Sequence, residues 1–316
     1  MRVKVPVTGG AGFIGHNAAM FLKERGYEVF VLDNLKRAAD FALKRLEMCN
    51  IPVLKGDVLN AKALKAAVKG VDVVVHAAAY INVEESVRKP SMYFRNNVAG
   101  TASVADACLR GGVRLLVYLS SAAVYGDPVV LPINESHPTR PISPYGLTKL
   151  MGEEAVKFYS QRGLKYAVLR LFNVYGPGQT GAYAGVITRF VGRVRAGKPP
   201  IIYGDGMQTR DFIHVRDVAR AVGLCMESGV RNETFNIASG KPTTISGLAE
   251  LIMKMANLHL KPVHARRRQV DVKHSYADIT KAERILGFKP QISFENGLSE
   301  LLKSMQLLKA KADKQA

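Results

Sequence analysis

Between an apolar run at residues 3–7 and an amphipathic stretch at 15–25, the chain reads Thr8-Gly9-Gly10-Ala11-Gly12-Phe13-Ile14-Gly15. Gly10, Gly12 and Gly15 give G-x-G-x-x-G, and Gly9, Gly12 and Gly15 give the related G-x-x-G-x-x-G. A strand feeding such a turn, with a helix leaving it, bares backbone N–H groups at the helix start and suits a pyrophosphate. Taken alone, the glycines also fit a plain tight turn. Asp33 narrows the choice, because it closes the second apolar run at the distance expected of a ribose-binding carboxylate. A carboxylate there accepts from both ribose hydroxyls and repels a 2′-phosphate, which favours NAD over NADP. Lys36 and Arg37 follow closely and are read as solvated charges.

Short apolar runs at 3–7, 28–32, 53–55, 71–76 and 115–120 alternate with stretches of helical period at 15–25, 61–68, 93–109 and 145–162. Strands alternating with helices imply right-handed crossovers and a parallel sheet covered on both faces. The fold class expected is therefore α/β, a doubly wound Rossmann sheet with a smaller α/β C-terminal domain for substrate. The boundary is placed at Tyr175-Gly176-Pro177, giving domains of 1–174 and 175–316. Further strands at 165–171 and 235–237 and helices at 184–196, 246–256 and 281–286 are expected, the segment near Phe235 returning to the main sheet. Pro6 sits inside the first strand, where a missing donor is disfavoured, and the sequence offers no reason for it.

Composition bounds the remaining options. The 316 residues carry 45 Lys+Arg against 26 Asp+Glu, a net charge of +19, with an ordinary 47% hydrophobic content. The basic residues are spread along the chain, clustering modestly at 266–268 and 303–314, without aromatic interleaving. That favours a solvated surface with clefts suited to an anionic substrate over a nucleic-acid platform. No apolar run reaches bilayer-spanning length, and the start of the chain enters a strand rather than a secretory signal, so a cytoplasmic protein without a membrane partner is expected. Cys49, Cys108 and Cys225 lie far apart, without metal-site or disulfide spacing.

Tyr145-Gly146-Leu147-Thr148-Lys149 places Tyr and Lys one turn apart on a helical face. Alone, this fits a buried tyrosine beside a surface lysine equally well. A neighbouring ammonium and a cationic nicotinamide would instead draw the phenol's pKa down from about 10. Upstream, Leu119-Ser120-Ser121-Ala122-Ala123-Val124-Tyr125-Gly126 ends a strand where a doubly wound sheet exposes its chemistry. A serine there can relay a hydroxyl proton or simply cap the strand end. Cradle, Asp33, serine and Tyr/Lys pair in one order point to an active site.

These motifs, together with His76-Ala77-Ala78-Ala79, Asn96-Asn97-Val98-Ala99-Gly100-Thr101, LFNVYGPG at 171–178 and GDGMQTRDFIHVRDVA at 204–219, occur at familiar spacing. Ala277-Asp278-Ile279-Thr280-Lys281-Ala282 and Leu286-Gly287-Phe288 extend the likeness almost to the end of the chain. The chain resembles the extended short-chain dehydrogenase/reductases of the NAD-dependent epimerase/dehydratase type, and within them the UDP-galactose 4-epimerase branch. The resemblance implies Tyr145 as catalytic base, Lys149 as its ribose-binding, pKa-lowering partner and Ser121 as the serine on the sugar hydroxyl. It implies cofactor contacts at Gly9, Gly12, Phe13, Ile14, Gly15, Asp33, Asn34, Asp57 (adenine), Val58, Ala77, Ala78, Ala79 and Asn97, besides Tyr145 and Lys149. On the UDP-sugar side it implies Ser121, Tyr145, Asn173, Arg210, Arg268, Asp271 and Ser275. A homodimer through the helices at 93–109 and 145–162 is implied as well.

The chain departs from the family pattern in places. His16 stands where Ser is usual, and Arg268-Gln269-Val270-Asp271 replaces Arg-Pro-Gly-Asp. Ser275 takes the position that limits bulk at the sugar's second carbon, leaving room for an N-acetyl group or serving only as a loop residue. Dehydratase relatives carry an Asp-Glu pair after the strand-end serine or threonine, and decarboxylases a Glu. Here Ala122 and Ala123 follow Ser121, and methyl groups move no protons, so epimerisation at carbon 4 is expected. A redox enzyme acting on sugar nucleotides and a non-catalytic, nucleic-acid-binding member of the fold stand as alternatives.

Overall fold

The computed structural model describes residues 3–179, 185–266 and 272–312, with residues 306–312 as backbone alone. Its strands are β1 (Lys4–Thr8), β2 (Glu28–Asp33), β3 (Val53–Lys55), β4 (Val73–His76), β5 (Leu115–Ser121), β6 (Tyr166–Leu171), β7 (Asn173–Tyr175), β8 (Ile201–Tyr203), β9 (Thr209–His214), β10 (Glu233–Ile237), β11 (Pro242–Thr244), β12 (Val263–Ala265) and β13 (His274–Ser275). Seven of them form one sheet in the order β3-β2-β1-β4-β5-β6-β10, and every pairing in it is parallel. The order reverses between β1 and β4, so the crevice of a doubly wound sheet opens there, beyond the carboxyl ends of the strands.

Burial on both faces explains the near-continuous apolar strands. Alternate residues feed two separate cores: Val5, Val7, Val75, Val117 and Leu169 point to one, and Val74, Leu116, Tyr118 and Val168 to the other. Helices cover both faces. In chain order they are α1 (Phe13–Glu24), α2 (Asp40–Met48), α3 (Ala61–Ala67), α4 (Val83–Arg88), α5 (Pro90–Tyr93), α6 (Gly100–Arg110), α7 (Pro144–Ser160), α8 (Val186–Arg195), α9 (Val215–Glu227), α10 (Ile245–Met255), α11 (Thr280–Leu286) and α12 (Phe294–Ala312). α1 packs against α9 on one face, while α3, α6 and α7 pack together on the other. A third core, containing Phe190, Ile202, Phe212, Leu248 and Leu298, lies in the second half of the chain. There β11, β9 and β13 form a small sheet that β7 joins along β9, and β12 pairs with β8.

The single helix expected at 93–109 is interrupted. A π-helical turn, Phe94–Ala99, separates α5 from α6 and contains Asn97. Such widened turns commonly re-aim a side chain toward a functional site.

Pro6 finds its explanation in the ladder. Residues of a parallel strand point both backbone groups to one side, alternately. Gly9 donates to Leu32 of β2, and the Thr8 carbonyl accepts from Ala77 beyond β4. By this alternation Pro6 faces β4, and there pairing begins only at Val7↔Val75, whereas β1 pairs with β2 from Lys4 onward. The missing donor thus falls on the side where the ladder has not yet begun.

Candidate active site

The phosphate turn is built so that side chains could not fit. Gly9 has φ +67°, and a Cβ on it would lie 2.5 Å from the Ala78 backbone. A Cβ on Gly15 would lie 2.3 Å from the Gly9 carbonyl oxygen. The turn therefore packs directly on the segment after β4, and it opens α1 without a side-chain cap or an acidic residue in the first turn. Uncapped N–H groups at the positive end of a twelve-residue helix suit a dinucleotide's pyrophosphate. Asp33 ends β2 at the rim of this turn. Its carboxylate accepts from the Ala11 N–H at 3.0 Å and the Leu35 N–H at 2.8 Å. Burial raises its pKa, and these two bonds work the other way.

The cleft above the turn is lined by the expected cofactor residues with four exceptions: Asp57, Asn97, Tyr145 and Lys149. Asp57 lies just behind it, its carboxylate accepting from Asn34 at 3.0 Å and from the Leu59 N–H. Asn97 spends its amide on the Tyr80 N–H (2.8 Å), the Tyr80 carbonyl (2.9 Å) and the Thr148 hydroxyl (3.0 Å), and it is Asn96 that reaches the lining. Tyr80 and Ile81 also line the cleft; they continue the Ala77-Ala78-Ala79 run, a contiguity legible in the sequence. Arg37 lines it too, which corrects its reading as a solvated charge. Its guanidinium is bound to Glu85 at 2.8 and 2.9 Å and lies 4.0 Å from the Tyr80 ring centroid. Lys36, by contrast, is 67% exposed, 3.8 Å from Asp57.

His16, on the first turn of α1, leaves the cradle intact. Its Nδ1 donates to the Gly12 carbonyl at 2.8 Å and its Nε2 accepts from Asn17 at 3.1 Å. Burial lowers its pKa to about 4, so the ring is neutral.

The candidate proton-handling groups come from two elements. Ser121 ends β5 and also caps the following turn by accepting from the Ala123 N–H. α7, begun by Ser143 as N-cap and Pro144 in its first turn, delivers Tyr145, whose backbone N–H donates to Ser86 of α4 at 3.1 Å. The Ser121 side chain stands near the Tyr145 phenol. Burial is the larger influence on that phenol and raises its pKa, while Ser121 lowers it. The Lys149 amine, 4% exposed, donates to the Leu119 carbonyl at 2.5 Å and sits 4.3 Å from the centroid of the Tyr118 ring. Burial lowers its pKa to about 7, and Glu153, one helical turn on, supports the charged form.

Glu153 is fully buried and belongs to a network that sequence reasoning missed. It accepts from Ser120 at 2.6 Å and pairs with Arg170 of β6 at 2.7 and 3.0 Å. Arg170 reaches the Tyr125 hydroxyl, which donates to Asn236 of β10. The available signal was the Lys149/Glu153 spacing of four on one helical face.

In the second half of the chain, the small sheet carries three of the expected substrate residues. Ser275 of β13 stands in register with Arg210 of β9, and Asn173 of β7 with Phe212 two residues along. Arg210 donates to the Thr209 carbonyl at 2.7 Å. Its neighbour Asp211 is buried and accepts from Ser239, Gly240 and Ala277. Arg268 and Asp271 lie outside the described residues.

Comparison with known proteins agrees with this geometry. A UDP-glucose 4-epimerase of Halalkalibacterium halodurans is 35% identical over 305 residues, covering 90% of each chain. The Thermotoga maritima UDP-glucose 4-epimerase, solved with UDP-glucose, superposes with a TM-score of 0.92 at 35% identity, over 97% of this chain and 100% of that one. A UDP-N-acetylglucosamine 4-epimerase from Methanobrevibacter ruminantium, solved with UDP-N-acetylmuramic acid, gives 0.92 at 36% identity, over 98% and 100%. Residues 5–238 match the sequence profile described as the NAD dependent epimerase/dehydratase family. The chain belongs to that family, whose cofactor is NAD.

Proposed function

We propose that the chain interconverts the C4 epimers of a UDP-hexose, with UDP-glucose and UDP-galactose as the pair, through a 4-keto sugar. The observation that carries this reading is the cleft end of β5, where Ser121 is followed by Ala122 and Ala123 and meets the phenol of Tyr145. Elimination or decarboxylation calls for a second acid/base group at that place, whereas oxidation and reduction at one carbon does not. Similar enzymes that are UDP-glucose 4-epimerases support the same choice, although a decarboxylase and a dehydratase stand among the chain's relatives as well.

In this reading Tyr145, helped by Ser121, takes the proton of the C4 hydroxyl and later returns it. Lys149, fixed by the Leu119 carbonyl, holds a positive charge beneath them and binds ribose. NAD, when bound at the phosphate turn and Asp33, would supply the acceptor and donor for hydride at C4. Asn173, Arg210 and Arg268 hold the nucleotide diphosphate, guanidinium suiting its oxygens, and Asp271 holds the nucleotide ribose, so that the sugar turns over without leaving. Ser275 is small enough to admit an N-acetyl group, and UDP-N-acetylhexosamines are included as substrates. Leu147, Met151 and Phe158 leave an exposed apolar strip on α7, which we read as part of a homodimer face.

The test is incubation of the chain with NAD and UDP-hexoses or UDP-N-acetylhexosamines, followed by chromatographic separation of epimers. Epimers form, and Tyr145→Phe removes nearly all turnover while the fold persists. Net NADH accumulation would make the chain a dehydrogenase. Release of a dehydrated keto sugar would make it a dehydratase, and salt-sensitive binding of nucleic acid without sugar turnover would remove it from catalysis.

A further inference from the structure

The dinucleotide cleft is bordered by two segments from opposite sides of β1. One follows β2 and carries Arg37; the other follows β4 and runs through Tyr80 and Ile81 into α4, which carries Glu85. Arg37, Tyr80 and Ile81 line the cleft, and Arg37 contributes the one cationic side chain among its described lining residues. The guanidinium spans to the far segment by a two-pronged ion pair, Nη1 to Oε2 at 2.8 Å and Nη2 to Oε1 at 2.9 Å. Residues 48 positions apart in the chain are thereby joined across the site.

The far segment is prepared to receive this pair. Tyr93 donates to Glu85 at 2.9 Å, and the same hydroxyl accepts from the Asn82 N–H at 3.1 Å. Asn82 caps α4 through the Glu85 N–H, and Asn97 grips both backbone groups of Tyr80. The Tyr80 ring supports the guanidinium from below at 4.0 Å. Both partners of the ion pair are about four-fifths buried, with 22% and 20% of their side chains exposed. A pair so enclosed and so oriented is stronger than an ordinary surface ion pair. Two of five guanidinium N–H groups are used by Glu85, which leaves donors and charge for an anionic ligand in the cleft.

We propose that Arg37 and Glu85 form a latch across the dinucleotide cleft, and that this latch, added to the phosphate turn, sets how slowly NAD leaves. A dinucleotide under the Tyr80–Glu85 segment departs only when the pair parts. An enzyme whose cofactor is oxidised and reduced within one turnover needs such retention. The inference rests on the family's NAD and not on the identity of the sugar, so failure of the epimerisation assay would leave it standing.

The test measures release directly on the full chain. Wild-type protein loaded with NADH is mixed with excess NAD, and the decay of NADH fluorescence gives the dissociation rate. Arg37→Met and Glu85→Gln each speed release about tenfold, which corresponds to about 1.4 kcal/mol. The double variant is no faster than either single one, because one latch cannot be opened twice. Raised salt speeds release from wild type more than from Arg37→Met. Arg110→Met, which removes an exposed cation paired with Asp106 on α6, keeps the wild-type rate. The proposal is overturned by either single variant releasing NADH at the wild-type rate, by rates that multiply in the double variant, or by equal acceleration in Arg110→Met. Thermal melts of each variant separate release from loss of fold: a variant that melts with wild type yet releases faster supports the latch, and release that merely tracks the melting temperature overturns it.

Discussion

Replacing Glu153 by Gln should damage the protein in two ways that a second substitution pulls apart. The carboxylate is 0% exposed and Arg170 is 5% exposed, so the neutral amide leaves a buried guanidinium without a counter-charge. Breaking one side of such a pair costs about 3–5 kcal/mol. At ~2 °C per kcal/mol for a chain of a few hundred residues, the melting temperature falls by about 6–10 °C. Glu153→Leu combined with Arg170→Met removes both charges and fills the space, which is often near neutral for stability. Turnover should not recover with it. Burial alone then acts on Lys149, whose pKa drops further below about 7, while Tyr118 and His76, which also lie near it, give it no negative charge at neutral pH. The ammonium is present below its pKa and lost above it, so each unit of further drop removes roughly tenfold of the charged form on the alkaline side. The assay is a pH–rate profile beside a thermal melt. The double variant should melt near wild type while its alkaline limb moves to lower pH. Wild-type turnover and profile in that variant, or an unchanged melt in Glu153→Gln, would refute the reasoning.

Two other substitutions probe neighbouring parts of the site. Lys149→Met removes a cation whose pKa in the fold, about 7, lies below its ordinary 10.5. The wild-type penalty is complete below pH 7 and fades as pH rises to 10.5, so the variant's stability advantage in chemical denaturation should shrink over that window by up to about 1.4 kcal/mol per pH unit; an advantage independent of pH would contradict it. Gly15→Ala pushes a methyl to 2.3 Å from the Gly9 carbonyl and should weaken NAD binding at least ~10-fold in a titration, the turn's N–H groups being displaced. Gly70→Ala, at φ +64° with open space around it, should cost about 1 kcal/mol of stability and leave NAD binding alone.

What the sequence disclosed follows from which forces act locally. The inner strands of the main sheet, β1, β4, β5 and β6, are buried on both faces, so their apolar runs stand out, and the glycine turn is a requirement of backbone conformation written at single positions. The two- and three-residue strands β11, β12 and β13 have no periodicity long enough to detect. α9 was missed because it leaves β9 without a glycine, proline or ordinary cap: His214, an uncommon N-cap, accepts from the Arg216 N–H with its own ring. The π turn around Asn97 reads as ordinary helix, since nothing in its composition marks the widening. Arg170 reads as a charge interrupting a strand, and Arg37 as one more lysine-like surface charge. Each is assigned only when its partner, Glu153 or Glu85, is brought to it by the fold.

A common construction runs through the residues that face the cleft. The period of two along a strand puts adjacent side chains on opposite sides. On β5, Ser120 turns inward to Glu153 while Ser121 turns out to Tyr145. On β9, Asp211 turns inward to bind Ser239, Gly240 and Ala277 while Arg210 stands beside it in register with Ser275. On α7, the spacing of four sets Lys149 between Tyr145 and the buried Glu153. Ser121, Lys149 and Arg210 therefore each have an anchoring neighbour within one residue or one helical turn, and on the β5 and α7 side the anchors share a connected interior: Glu153 to Arg170, Arg170 to Tyr125, Tyr125 to Asn236 on β10. Because β10 pairs with β6 while its following residues, Ser239 and Gly240, are held by Asp211, the proton-handling side and the small sheet are fixed to one framework. Displacing any one anchor should accordingly disturb positions on both sides of the cleft, where loss of a cleft-facing group would be felt at that group alone.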